Sequence, residues 1–343
     1  MSPLDILSFP NGIKNLRFGG CFQKRLDTLP PQLEYIDFGE NYNLPYPENL
    51  PNTIKYLRLA DNSNYMLPNN LPQSLEQLYL SYNYDYDLPN NLPQTLKILN
   101  LNNQYNRPLP EHLPNNLEEL NVGERYNYPL PNNLPDTLKI LILSSKYNEP
   151  LPKHLPNNLE ELYFGTDFNQ PINNMLPNKL KKLSFGSNFN KTLYDSNSIF
   201  SWFKKNNNVI PNSLIDLCFG FCYNQKLPDN LPNSIEYITF GPVYNQPLPK
   251  YLPNNLKTLK FGMDYNQPLP DNLPDSIETI CLDYQYNQPL PKKLPNSLKV
   301  IKFGKKFDQL LDNLLMSKNL KEIKLSKNYQ QIIPLNLQHL IKY

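Results

Sequence analysis

The sequence predicts a parallel β-solenoid: stacked short strands form a concave sheet, backed by an irregular, polyproline-like convex side with little helix. Three observations predict it. The dipeptide Leu-Pro restarts every 21 residues, at Leu29, Leu50, Leu71, Leu92, Leu113, Leu134, Leu155 and Leu176, and the beat resumes at Ile210, Leu231, Leu252, Leu273 and Leu294. Apolar residues recur at the same offsets from each start. The 36 prolines far outnumber the 11 glycines; their fixed spacing marks a packed repeat rather than the disorder that high proline and low hydropathy otherwise signal.

Looser starts at Phe9, Met316 and Ile333 complete a set of sixteen. Residues 1–343 are therefore expected to form one solenoid of about 16 repeats of ~21 residues. A single turn holds too few apolar anchors to offset the entropy of ordering its backbone, so stability has to come from neighbouring turns.

Each offset has a physical reading. Offsets 4, 7 and 9 are apolar, as in Leu256, Leu259 and Phe261, while 6 and 8 vary. That alternation is a short strand with one buried face. Offset 10 holds nine of the eleven glycines, from Gly19 to Gly304, where the chain turns without a Cβ in the way. Offset 13 is aromatic in fourteen of fifteen turns, Ser63 being the exception, and predicts a second buried row. Offset 14 is asparagine in eleven of fifteen; its amide is expected to turn inward and bond backbone groups of neighbouring turns. Proline cannot donate to a ladder, so the return path is expected to be extended.

One step breaks the beat. Leu176 to Ile210 spans 34 residues, and the additional residues are placed at 194–206. Ile199, Trp202 and Phe203 have helix-like i, i+3, i+4 spacing. Such an insertion reads either as a loop whose aromatics cover the solenoid or as a partner-binding knob.

The segment Phe168-Asn-Gln-Pro-Ile, with Tyr-Asn-Gln-Pro-Leu at Tyr244, Tyr265 and Tyr286, resembles the FNIP repeat, a relative of the leucine-rich repeat. The Leu-Pro-x-x-Leu-x-x-Leu-x-Phe portion also resembles the short leucine-rich repeats of bacterial effectors. The resemblance implies a leucine-rich-repeat-like solenoid of the kind found in amoebae and their giant viruses. Many such proteins carry an F-box that recruits a ubiquitin ligase, with the repeats holding the substrate. With the first turn at Phe9, no F-box is expected here, and only the recognition half is implied.

Little else in the sequence points to chemistry. A net charge of +2 is too small for a nucleic-acid scavenger or a polybasic membrane binder, so neither partner is expected. Cys21, Cys218, Cys222 and Cys281 have no disulfide-framework spacing. There is no signal-peptide start and no long apolar run, so a cytoplasmic protein is expected. His112, His154 and His339 are too dispersed for a metal site. No phosphate loop, nucleophile elbow or zinc motif occurs, so neither enzyme activity nor a cofactor is expected. Glu118, Glu119, Glu160 and Glu161 read as solvated charge.

What remains is the strand face, where offsets 6 and 8 should meet solvent. Tyr35, Tyr56 and Tyr79 form an aromatic strip, Ile98, Ile140 and Ile142 an apolar spot, and Tyr163 and Tyr237 flank the insertion with its Trp202. Tyrosine and exposed apolar side chains suit protein recognition, though strand propensity favours the same residues. Lys260, Lys302 and Lys324 form a small basic strip. The expected function is a monomeric, non-enzymatic protein-binding scaffold. The alternatives are a ubiquitin-ligase substrate adaptor working with a separate F-box partner, and a self-associating structural protein.

Overall fold

The computed structural model describes residues 9–10, 12–172, 176–193 and 209–343. They fall into two compact units, residues 1–165 and 166–343. The predicted insertion, 194–206, lies outside the described residues.

Unit 1 stacks eight strands in chain order: β1 (Asn15–Arg17), β2 (Tyr35–Asp37), β3 (Tyr56–Arg58), β4 (Gln77–Tyr79), β5 (Ile98–Asn100), β6 (Glu119–Asn121), β7 (Ile140–Ile142) and β8 (Glu161–Tyr163). All pairs are parallel and in register, so Leu99 faces Leu120 and Leu141 faces Leu162. Unit 2 repeats the plan with β9 (Lys182–Ser184), β10 (Asp216–Cys218), β11 (Tyr237–Thr239), β12 (Thr258–Lys260), β13 (Thr279–Cys281), β14 (Val300–Lys302), β15 (Glu322–Lys324) and β16 (Ile341–Lys342). Leu217 pairs opposite Leu183, so the longer step between Leu176 and Ile210 leaves the register unchanged. Helix is confined to two 3-10 segments, Asp312–Met316 and Leu335–Leu340, among the described residues.

The Leu-Pro start sets the turn into the strand. The Pro30 carbonyl accepts from the Leu33 amide at 3.1 Å, and Pro72 and Leu75 repeat the bond. Lacking an N–H of its own, proline leaves no donor to satisfy there. Next, the offset-5 carbonyl accepts from the following two amides of the next turn, as Lys97 does from Glu118 and Glu119 at 2.8 and 2.9 Å. Offset 9 donates forward: the Leu101 amide bonds the Asn121 carbonyl at 2.9 Å. Each turn thus satisfies backbone groups that stacking would otherwise bury unpaired.

Offsets 4, 7 and 9 are buried in every turn between the first and the last, as in Leu117, Leu120 and Val122. Behind them the offset-13 aromatics form a stacked column. Tyr105, Tyr126 and Tyr147 follow at centroid spacings of 6.2 Å, with planes 9° and 6° apart. In unit 2, Tyr223, Tyr244, Tyr265 and Tyr286 follow at 6.1, 6.0 and 6.1 Å. Where Ser63 interrupts the column, Tyr46 enters the core from offset 17, and its hydroxyl accepts from the Ala60 amide at 3.2 Å. Close stacking explains the glycines: a Cβ on Gly123 would lie 1.5 Å from the Asn102 carbonyl oxygen of the preceding turn, and Gly123 has φ +80°.

The offset-14 asparagines differ from expectation. They run along a partly exposed edge instead of turning inward. In most turns the side-chain oxygen accepts from the backbone N–H of the equivalent residue one turn later: Asn127 from Asn148 at 3.0 Å, Asn224 from Asn245 at 2.9 Å and Asn245 from Asn266 at 3.0 Å. In unit 2 the glutamine that follows adds a second donor to the same oxygen, as Gln267 does to Asn245 at 3.2 Å. The column occupies the interior, so the amide has room only on the outer edge, where it still meets a backbone donor one rung away.

Candidate partner-binding face

The strand pattern places offset 7 in the core and offsets 6 and 8 outward, so one face of each unit displays two parallel lanes of half-buried side chains. Rungs ~4.8 Å apart bring like positions on adjacent turns into contact.

In unit 1, Tyr35 and Tyr56 stack at 4.2 Å and 14°, and Tyr79 leans on Tyr56 at 5.3 Å. Burial against these neighbours pushes the Tyr56 phenol up to about 12 and raises that of Tyr79. The predicted strip is therefore one continuous aromatic surface. The isoleucines are arranged differently. Ile98 and Ile140 each face Glu119, which stands between them in the offset-6 lane, while Ile142 faces Tyr163. Tyr163 donates its hydroxyl to Glu161. Glu119 thus separates Ile98 from Ile140 along the lane, while Ile140 and Ile142 share one strand, with Asn121 and Tyr163 on either side of Ile142. In unit 2, Tyr237 is 40% exposed, with Asp216 and Thr258 on either side. Trp202 lies outside the described residues.

A charged cluster borders the tyrosines and was not singled out from the sequence. Asp37 is nearly fully buried, yet its carboxylate accepts from the Gly39 amide at 2.8 Å, from Arg58 at 3.3 Å and from Arg17 at 3.3 Å. The second Arg58 nitrogen bonds both Asp61 oxygens at 2.8 Å. The signal was legible in the offset-8 lane as Arg17, Asp37, Arg58 on successive turns. Removing one partner would leave a buried, uncompensated charge, the costly case for ion pairs.

A second missed pattern runs along offset 5. In unit 1 it reads Lys14, Glu34, Lys55, Glu76, Lys97, Glu118, Lys139, Glu160, alternating sign without a break. Lys97 meets Glu76 at 2.8 Å, and Lys139 meets Glu118 at 2.6 Å. Unit 2 repeats it where Lys257 meets Glu236 at 2.7 Å and Lys299 meets Glu278 at 2.8 Å. Glu118, expected as solvated charge, is a rung of this ladder. Pairs so exposed contribute little stability each. A one-turn slip would set like charges opposite, so the alternation works mainly on register.

His112 and His154 are exposed, all four cysteines are free, and no group of His, Cys, Asp and Glu suited to a metal occurs among the described residues. Among them, too, no helix is long and apolar enough to cross a membrane.

Comparison with known proteins fits the repeat geometry. The FNIP Repeat pattern matches residues 2–41, 62–199 and 223–327, more than half of the chain. The chain belongs to the FNIP-repeat family. Among solved structures it is similar to CroV588, a circular LRR protein, with 28% identity, a TM-score of 0.69, and coverage of 93% of this chain and 54% of that one. This FNIP-repeat chain thus spans about half the length of CroV588. YopM from Yersinia enterocolitica WA-314 matches at 22% identity and a TM-score of 0.46, over 89% of this chain and 65% of that one. No curated protein matches. The family's Phe/Tyr-Asn-Gln-Pro motif now has a physical reading. The ring joins the column, the asparagine oxygen caps the next turn, the glutamine adds a second bond, and the proline starts the extended return.

Proposed function

We propose that this FNIP-repeat solenoid is a non-enzymatic scaffold that holds a protein partner on its strand face, with Tyr35, Tyr56 and Tyr79 as the anchor. The observation that carries this reading is the continuous tyrosine surface beside Arg58, which has stacked rings at 4.2 and 5.3 Å. Rigid tyrosines next to arginine give large contact area at low entropic cost, the composition of binding hot spots. Each of the three rings is already held by a neighbour, so little ordering remains to be done on binding.

The test is affinity capture or proximity labelling in the native cell. It compares the wild type with a Tyr35→Ala/Tyr56→Ala/Tyr79→Ala variant and with Ile98→Asp/Ile140→Asp/Ile142→Asp. A partner lost with the tyrosine variant supports the reading, and loss confined to the isoleucine variant moves the site along the face. Identical partner sets for all three proteins would sink it. Cullin and Skp1 components among the captured proteins would favour the ligase-adaptor alternative.

Self-association is a second reading, favoured by exposed apolar side chains gathered in the last turns: Met316, Ile332 and Leu335 are 78%, 89% and 81% exposed. A molar mass in light scattering that stays at the monomer value at every concentration would remove it.

A further inference from the structure

The strand face of unit 2 ends in a row of lysines. Lys260, Lys302 and Lys324 at offset 8, and Lys342, which the register sets opposite Lys324, stand on strands paired in register, with Cys281 between the first two. Five rungs at ~4.8 Å give a row ~19 Å long. The neighbouring lane carries Thr258, Thr279, Val300 and Glu322. Glu322 meets Lys342 at 2.7 Å and Lys302 at 4.0 Å. Lys260 and Lys324 make no ion pair among the described residues, and both are exposed.

This departs from the chain's own practice. At offset 5 a lysine is repeatedly matched by a glutamate one turn away. In this lane Lys302, Lys324 and Lys342 face one another directly, the arrangement that opposes strand pairing. The surroundings add to it: residues 299–343 contain nine lysines against three carboxylates, in a chain whose net charge is only +2. The fold does not require this concentration of like charge, and an anionic occupant would relieve it.

We infer that the lysine row is a docking lane for an acidic, extended segment of a protein partner, an inference that rests on the scaffold reading and gives it chemistry. An extended peptide presents same-side residues every ~6.7 Å, so a ~19 Å row accepts about three carboxylates at alternate positions. Thr258 and Thr279 beside the row offer hydroxyls to the peptide backbone. A nucleic acid fits less well. The two lanes of β12 to β16 hold no aromatic platform for bases and no arginine fork for phosphate. Glu322 also stands within the row, against a continuous phosphate backbone.

The experiment is fluorescence anisotropy on the full chain at low salt. The probe is a labelled peptide alternating glutamate and glycine, compared with its glutamine counterpart and with a single-stranded oligonucleotide of equal charge. The row variant is Lys260→Glu/Lys302→Glu/Lys324→Glu. A control with the same change in net charge is Lys153→Glu/Lys226→Glu/Lys250→Glu, at exposed sites elsewhere. Lys260→Gln/Lys302→Gln/Lys324→Gln serves if the reversed row fails to fold, as judged by circular dichroism. The expected result is that the glutamate peptide binds in preference to both comparators and loses about tenfold in the row variant, with little change in the control. Equal losses in row and control variants, tighter binding of the oligonucleotide, or no peptide binding would each overturn the inference. Absence of peptide binding to the wild type, with partner capture through the tyrosines intact, strikes the row alone. Failed capture with peptide binding intact strikes the proposed tyrosine anchor instead.

Discussion

Each unit has its own aromatic column, and the two columns are finished differently. In unit 1 the hydroxyls of Tyr105, Tyr126 and Tyr147 donate to the carbonyls of Pro108, Pro129 and Pro150 at 3.1, 3.0 and 3.3 Å. In unit 2 the hydroxyls of Tyr244, Tyr265 and Tyr286 are buried without a hydrogen-bond partner among the described residues. The consistent difference is at offset 15: Arg107, Tyr128 and Glu149 in unit 1, against Gln246, Gln267 and Gln288 in unit 2. Those glutamine amides donate to the asparagine of the preceding turn at 3.3, 3.2 and 3.2 Å. Phe240 and Phe261 also stack on their tyrosines at 3.8 and 3.7 Å. Tyr286 has Leu282 at that position instead, yet its hydroxyl has no partner either. The glutamine is therefore the common factor. These three turns exchange a buried hydroxyl bond for an amide bond on the edge, whereas the half-exposed Tyr329 of the same unit donates its hydroxyl to the Gln309 carbonyl at 3.0 Å.

The largest effect expected from the two columns is collective. Burial raises the phenols of Tyr105, Tyr126 and Tyr147 and of Tyr244, Tyr265 and Tyr286 above their ordinary value. A raised folded-state value means the folded chain holds its protons where the unfolded chain has released them. This contribution to stability is fully present below pH ~10 and declines as pH rises above it. In alkaline titration, phenolate absorbance from the columns should emerge together with loss of circular dichroism. Smooth ionisation near pH 10 in a folded protein would show that the columns admit water.

Single truncations separate the units. Tyr126→Ala and Tyr265→Ala should each cost ~3–5 kcal/mol in chemical denaturation, as large-to-small changes of aromatic core residues do. With the hydroxyls set aside by taking each Ala variant relative to its own Phe variant, Tyr265 should lie higher. It stacks on Tyr244, Tyr286 and Phe261, whereas Tyr126 has only Val122 at the position of Phe261, and an aromatic pair adds ~0.5–1.5 kcal/mol. Equal costs would deny the second ring row a role. On the edge, Asn245→Ala removes an oxygen that accepts from both Asn266 and Gln267, whereas Asn127→Ala removes a single bond to Asn148. At ~1 kcal/mol per bond, unit 2 should lose about twice as much as unit 1.

Much of this architecture was legible because the period is short and repeated. The strand at offsets 6 to 8, the buried 4, 7 and 9 rows and the offset-13 column all follow from alternation and burial, and each recurs enough times to be read without a structure. Tyr46 was not legible: Ser63 shows only that a ring is missing, and filling the gap depends on the three-dimensional proximity of offset 17 to the next turn's column. The asparagines were read in the wrong direction because their type shows an amide that needs partners but not which side has space. The tyrosine strip was readable as a set of residues, while its stacking and the Asp37 cluster beneath it depend on side-chain reach. Lys/Glu alternation at offset 5 was open to inspection, but it emerges only when turns are read down a column rather than along the chain.

The smallest effect is the most discriminating, because the comparison requires it to change sign. Tyr126→Phe deletes a satisfied hydroxyl and leaves the Pro129 carbonyl without it, so it should destabilise by ~1 kcal/mol. Tyr265→Phe deletes a buried hydroxyl that has no partner, so the desolvation penalty goes with it and the variant should be neutral or more stable by up to ~1 kcal/mol. Both changes keep the ring, the column and the burial, so differences in packing cancel. The measurement is a pair of denaturation midpoints with unchanged slopes. Matching losses in the two variants would mean that the unit 2 hydroxyls do find a bond in solution. In that case the edge glutamines add their amide bonds without displacing anything inside.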